Sequence, residues 1–186
     1  MYTDALLNFV PIGGNLSMVG AAGAPIVLAP GGVALDLLGA GVGEAPPIIF
    51  GTSFPTFGTD FGIGVRKPLL AVTVGTAFAT GNAATWNLAF QLAADLGAAG
   101  NYQPDTWYTA EETGAQAVAL APANAIIARF DWPPAFPSTL RPRYARLLMQ
   151  VPAGTNLSAG TIAYALVTLD RDDLSIKNAQ RNYSVS

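Results

Sequence analysis

Residues 70–93 read LAVTVGTAFATGNAATWNLAFQLA, and their alternation decides the fold class. On an extended chain Val72, Val74, Thr76 and Phe78 fall on one side and Ala71, Thr73, Gly75 and Ala77 on the other. From Thr85 onward, Trp86, Leu88, Phe90 and Leu92 oppose Thr85, Asn87, Ala89, Gln91 and Ala93. Between the runs lies Thr80-Gly81-Asn82-Ala83, a turn signal, so the spacing predicts an antiparallel hairpin with one wet face.

Working toward the C-terminus, further strands are expected at Thr106–Thr109, Gln116–Leu120, Ala125–Trp132, Arg143–Val151 and Thr161–Asp170. In the last of these, Ile162, Tyr164, Leu166 and Thr168 oppose Ala163, Ala165, Val167 and Leu169. Turn-rich segments at 101–105, 133–142 and 152–160 separate them, and no stretch combines helical periodicity with caps. The pattern predicts an all-β sandwich or barrel.

Toward the N-terminus the chain changes character. Short apolar pieces (Ala5–Val10, Ile26–Leu28, Val33–Leu38, Ile48–Phe50) stand between Gly and Pro breakers. Such a segment reads as an extended arm and loops laid over a core or a partner, with a strand at Val33–Leu38. Proline restricts an arm before it docks and lowers the entropic cost of ordering it. The expected division is an arm with loops at 1–32, a β-sandwich domain at 33–173 and a tail at 174–186.

The composition narrows the function classes. Among 186 residues there is no Cys and no His, and the formal net charge is −3. That removes imidazole bases, thiolate nucleophiles, disulfides and the usual zinc, haem and iron–sulfur ligands, so no cofactor is expected. The acidic balance argues against a nucleic-acid binder. Residues 5–35 are uncharged, but Pro11, Gly13, Gly14, Gly20, Gly23, Pro25 and Pro30 would break a spanning helix, so no membrane partner is expected either. Met1-Tyr2-Thr3-Asp4 lacks the basic start of a secretory signal. Only 11% of residues are charged, against roughly 25% in an ordinary domain. Either much of the surface is contact with other protein, or the Ala- and Gly-rich composition has diluted the charge.

Catalytic patterns are lacking. Asp170-Arg171-Asp172-Asp173 departs from a calcium loop, without Gly at the sixth position or Glu at the twelfth, and reads as a solvated turn. Glu111-Glu112 sits in an expected loop with side chains pointing apart. Gly39-Ala40-Gly41-Val42-Gly43 is followed by Pro46-Pro47 where a phosphate-binding helix would begin. The chain is therefore expected not to be an enzyme. Two features invite a binding reading. Trp107, Tyr108 and Trp132 are candidates for an aromatic platform, for core or for interface anchors. Arg129, Arg141, Arg143 and Arg146 read either as outward-facing strand residues or as partners for carboxylates of another protein.

Three segments resemble the jelly-roll capsid cement, or decoration, proteins of tailed bacteriophages: Val33–Leu37, Pro68–Gly97 and Leu140–Asp173. Arg143-Tyr144-Ala145-Arg146-Leu147, the Asn156–Gly160 turn and Leu169-Asp170-Arg171 carry most of the likeness. The resemblance implies an antiparallel jelly-roll-type β-sandwich with a Gly/Pro-rich N-terminal arm. It also implies a non-enzymatic, oligomeric protein, made in the host cytoplasm and seated on the outer capsid surface, where it bridges neighbouring major capsid proteins. The expected contacts with capsid or with a second copy (dimer or trimer) are Tyr2, Leu6, Leu7 and Phe9 on the arm, with Trp107, Tyr108, Trp132, Arg141 and Arg143. Two alternatives are a carbohydrate- or receptor-binding phage module using the three aromatics, and a coat protein that builds a shell itself.

Overall fold

The computed structural model describes residues 9–10, 14–29, 32–36, 68–96, 103–131, 137, 139–140 and 142–169. Twelve strands occur among them: β1 (Leu16–Ser17), β2 (Ile26–Leu28), β3 (Leu35–Asp36), β4 (Pro68–Val74), β5 (Ala79–Thr80) and β6 (Thr85–Asp95), followed by β7 (Pro104–Glu112), β8 (Gln116–Ala117), β9 (Ile126–Asp131), β10 (Tyr144–Gln150), β11 (Leu157–Ala159) and β12 (Thr161–Leu169). They form one sheet ordered β1-β12-β4-β9 and a second ordered β2-β10-β6-β7, with β3 also on β10 and β8 also on β6. A small ladder joins β5 to β11. All these pairings are antiparallel, so the chain is all-β, as its alternation predicts.

One apolar core lies between the two sheets. Leu70, Val72 and Val74 of β4 meet Trp86, Leu88, Phe90 and Leu92 of β6 in it, and all seven are buried. Three aromatics cross it, with Phe9 edge-on to Phe90 at 6.0 Å and Phe90 5.9 Å from Phe130 of β9. Trp86 packs edge-on to Phe78 at 5.8 Å, and its indole N–H donates to the Ala117 carbonyl at 3.2 Å. Burial thus leaves that indole donor satisfied.

The expected hairpin is not formed. β4 and β6 have the predicted alternation but belong to opposite sheets, and residues 75–84 carry the chain across between them. Thr80, expected in the turn, pairs with Leu157. Period-two patterning states which face of a strand is buried but not which strand lies beside it. Two apolar faces satisfy one another equally well across a core.

Three smaller expectations are also corrected. In β12 a register shift between Ile162 and Tyr164 exchanges the faces. Ile162, Ala165 and Val167 accordingly pack into the core, and Tyr164 stands 50% exposed. An extra residue in one strand is how a bulge re-aims side chains, and strict alternation cannot register it. The strand expected over Gln116–Leu120 ends at Ala117 and passes into a turn of 3-10 helix at Val118–Leu120. The strand expected over Val33–Leu38 is Leu35–Asp36 among the described residues. Pieces of the Gly/Pro-rich N-terminal stretch are themselves paired, β1 against β12 and β2 against β10.

One end of the molecule is closed by backbone-to-backbone contacts between loops. The Gly23 amide donates to the Thr155 carbonyl at 2.7 Å, and the amides of Asn82 and Ala83 both donate to the Asn156 carbonyl. The Asn82 side chain completes the bracket by accepting from the Asn156 amide at 2.7 Å. Gly23 has φ +71°, and a Cβ there would lie 2.7 Å from the Gly154 nitrogen. Gly114 has φ +65° with open space around it. Gly114→Ala is therefore expected to cost only the left-handed backbone penalty of about 1–2 kcal/mol. Gly23→Ala must also push two backbone segments apart and is expected to cost more than Gly114→Ala in denaturant titration. Equal losses would show that the loops part easily.

Candidate interaction surface

Outward-facing residues of the second sheet bring together two of the described candidates, Trp107 and Arg146. Across β10, β6 and β7 the register sets Tyr144, Ala93 and Trp107 in one row and Arg146, Gln91 and Thr109 in the next. Ala93 is the small centre of its row. Ala34 packs with it and with Tyr144, and Trp107 lies against this cluster. In the second row Arg146 Nε donates to Gln91 Oε1 at 2.9 Å, and Gln91 Nε2 donates to Thr109 Oγ1 at 3.1 Å. The Arg146 guanidinium lies 4.0 Å from the centre of the Trp107 ring, where the ring quadrupole attracts a cation. Partial burial lowers the Arg146 pKa from its ordinary value, but a guanidinium keeps its charge in proteins.

Arg143 precedes β10, and its amide donates to the Ala93 carbonyl at 2.9 Å. The side chain forms an ion pair with Asp95 at the end of β6 and lies 5.3 Å from the centre of the Tyr144 ring. Side-chain exposures of 8% for Arg143 and 21% for Asp95 make this a largely desolvated pair.

Several sequence-predicted residues are placed differently from expectation. Phe9, expected at an interface, is fully buried and its amide donates to the Ala165 carbonyl at 2.9 Å, so in this chain it is core. Arg143 is likewise not an outward-facing strand residue; Asp95 takes its charge inside the molecule. Trp107 is half-buried and Tyr108 is 39% exposed. Adjacent residues of a strand project to opposite faces, and their register partners, Ala93 for Trp107 and Leu92 for Tyr108, lie on opposite faces of β6. The two aromatics therefore do not share one platform. Tyr2, Leu6, Leu7, Trp132 and Arg141 lie outside the described residues, as do Gly39–Gly43 and Asp170–Asp173.

Glu111 and Glu112 lie on β7, not in a loop, and do point apart. Glu112 accepts from Asn87 Nδ2 at 3.1 Å. Glu111 reaches across to the other sheet, where both its oxygens lie 3.2 Å from the Asp131 amide nitrogen. Burial raises the Glu111 pKa from its ordinary value and the nearby Asp131 charge adds to this, while the amide hydrogen bond opposes both. A carboxyl whose folded pKa is raised contributes stability that is present below its unfolded pKa and lost as pH rises through the folded value. Glu111→Gln removes that dependence. The variant is expected to be at least as stable as the parent at neutral pH, with the difference narrowing as pH falls through the range just above ordinary glutamate titration. A parallel pair of stability–pH curves would refute this.

Sequence reasoning missed the Asp95–Arg143 pairing, the Gln91–Thr109 bridge and the inter-sheet reach of Glu111. Each joins residues far apart in sequence, so only the assembled fold reveals them. Among the described residues, no three His, Cys, Asp or Glu side chains are grouped to hold a metal ion, and no helix is long and apolar enough to cross a membrane. No family model matches the chain, and no curated protein matches it.

Proposed function

We propose that this chain is a non-enzymatic capsid cement protein with a jelly-roll fold and an extended N-terminal arm. In this reading it binds the outer surface of a tailed-phage head, bridges neighbouring major capsid proteins and associates with copies of itself. The observation that carries the proposal is the strand order. Counting β1, β2, β4, β6, β7, β9, β10 and β12 as first to eighth gives sheets ordered 1-8-3-6 and 2-7-4-5. This order supports reading the two sheets as the double Greek key of a jelly roll, the fold that the sequence resemblance implies. A stiff two-sheet body with loops at its ends suits a clamp, because the loops reach different subunits while the body resists deformation. The glycan-binding alternative is weakened by the opposite projection of Trp107 and Tyr108.

The test is to add purified protein to phage heads that lack it and to measure occupancy and the temperature of DNA release. Saturable binding with a raised release temperature is expected. Absence of binding to any such head, with retention on immobilised glycans, would replace the proposal by the alternative. The arm's part is tested by removing residues 1–8 only, since Phe9 and Val10 belong to the core. Unchanged occupancy would take the arm out of the mechanism.

A further inference from the structure

Sheet edges offer unpaired backbone groups to other chains, and proteins protect them with charge, proline, bulges, shortness or a cover. Three of the edges described here are protected by composition, irregularity or length. β7 carries Pro104, Asp105, Glu111 and Glu112 and is interrupted by two register shifts. β9 carries Arg129 and Asp131, and β2 is only three residues long. β12 is different: residues 161–169 read TIAYALVTL, with no charge, Pro or Gly and high β-propensity. Among the described residues its outer side is covered by the start of the chain. Phe9 donates to the Ala165 carbonyl, Leu16 and Ser17 pair with Ile162 and Thr161, and Met18 donates to the Gly160 carbonyl. Phe9 and Val10, both fully buried, pin this cover into the core.

We infer that residues 9–10 and 14–18 are an edge guard, and that lifting the Phe9–Val10 pin leaves β12 as a template for β12 of a second copy of this chain. The second copy is the fitting occupant because an uncharged strand meets itself antiparallel without like-charge opposition. Pairing with β7 or β9 would instead bring charges to the seam. The inference does not rest on the capsid reading.

The test compares four full-length chains by light scattering, under conditions in which circular dichroism shows each folded. Phe9→Ala removes the pin, and Leu28→Ala opens the core beside the other sheet, where Leu28 is also fully buried. The double variant Phe9→Ala with Tyr164→Lys places a charge on β12 at a half-exposed site. Phe9→Ala is expected to gain dimers and larger species beyond those of the parent, Leu28→Ala to gain none, and Tyr164→Lys to abolish the gain. Equal association by Leu28→Ala, no gain by folded Phe9→Ala, or no suppression by Tyr164→Lys would each overturn the inference. Should Phe9→Ala not fold, Val10→Ala lifts the same pin more gently and is read by the same criteria.

Discussion

Replacing Phe9 by alanine is expected to lower folding stability by about 3–5 kcal/mol, the usual cost of truncating a buried phenylalanine. The residue is fully buried, edge-on to Phe90, and is among the first residues of the chain. A phenyl ring so placed closes the core where the first sheet meets the second. Its loss forfeits the transfer energy of the ring and opens a cavity between Phe90 and β12. Denaturant titration gives the value directly. A loss below about 1 kcal/mol would mean that the segment contributes little to the core, and would return Phe9 to the list of surface anchors. The same reasoning separates two truncations that look alike on paper. Removing residues 1–8 leaves the ring in place, whereas removing 1–10 takes part of the core with it.

Asp95→Asn is expected to cost about 3 kcal/mol, within the range for breaking a buried ion pair. It leaves the Arg143 guanidinium in a site 8% exposed without the carboxylate that faces it. The reciprocal change, Arg143→Met, leaves a carboxylate at 21% exposure, where water reaches it more readily, and is expected to cost less. Combining Asp95→Asn with Arg143→Met should recover part of the loss, because no charge is then stranded. Added salt should change these differences little, since buried pairs are poorly screened. A symmetrical, salt-sensitive loss of a few tenths of a kcal/mol would show the pair to be a surface contact.

The sequence carried the strands better than their neighbours. Val72 and Val74 against Thr73, and Trp86, Leu88, Phe90 and Leu92 against Asn87 and Gln91, place the buried faces of β4 and β6 correctly. The same alternation misassigned their relation, because a ten-residue link rich in Gly and Ala crosses between sheets as readily as it turns within one. Tyr164 was misplaced by one bulge. Of the candidate surface, Trp107 and the arginines stood out as residue types. What they do was not legible, since Asp95 and Arg143 are forty-eight positions apart and meet only through the β6–β10 register. Phe9 looked like an anchor for the reason that makes it core: it is a large aromatic in an uncharged stretch.

The pairing of β1 with β12 has a consequence for biosynthesis. β1 cannot acquire its neighbour until β12 has left the ribosome, so the first sheet closes only then. Until then the Phe9 amide lacks its Ala165 acceptor, and a contact so distant in sequence is expected to form slowly.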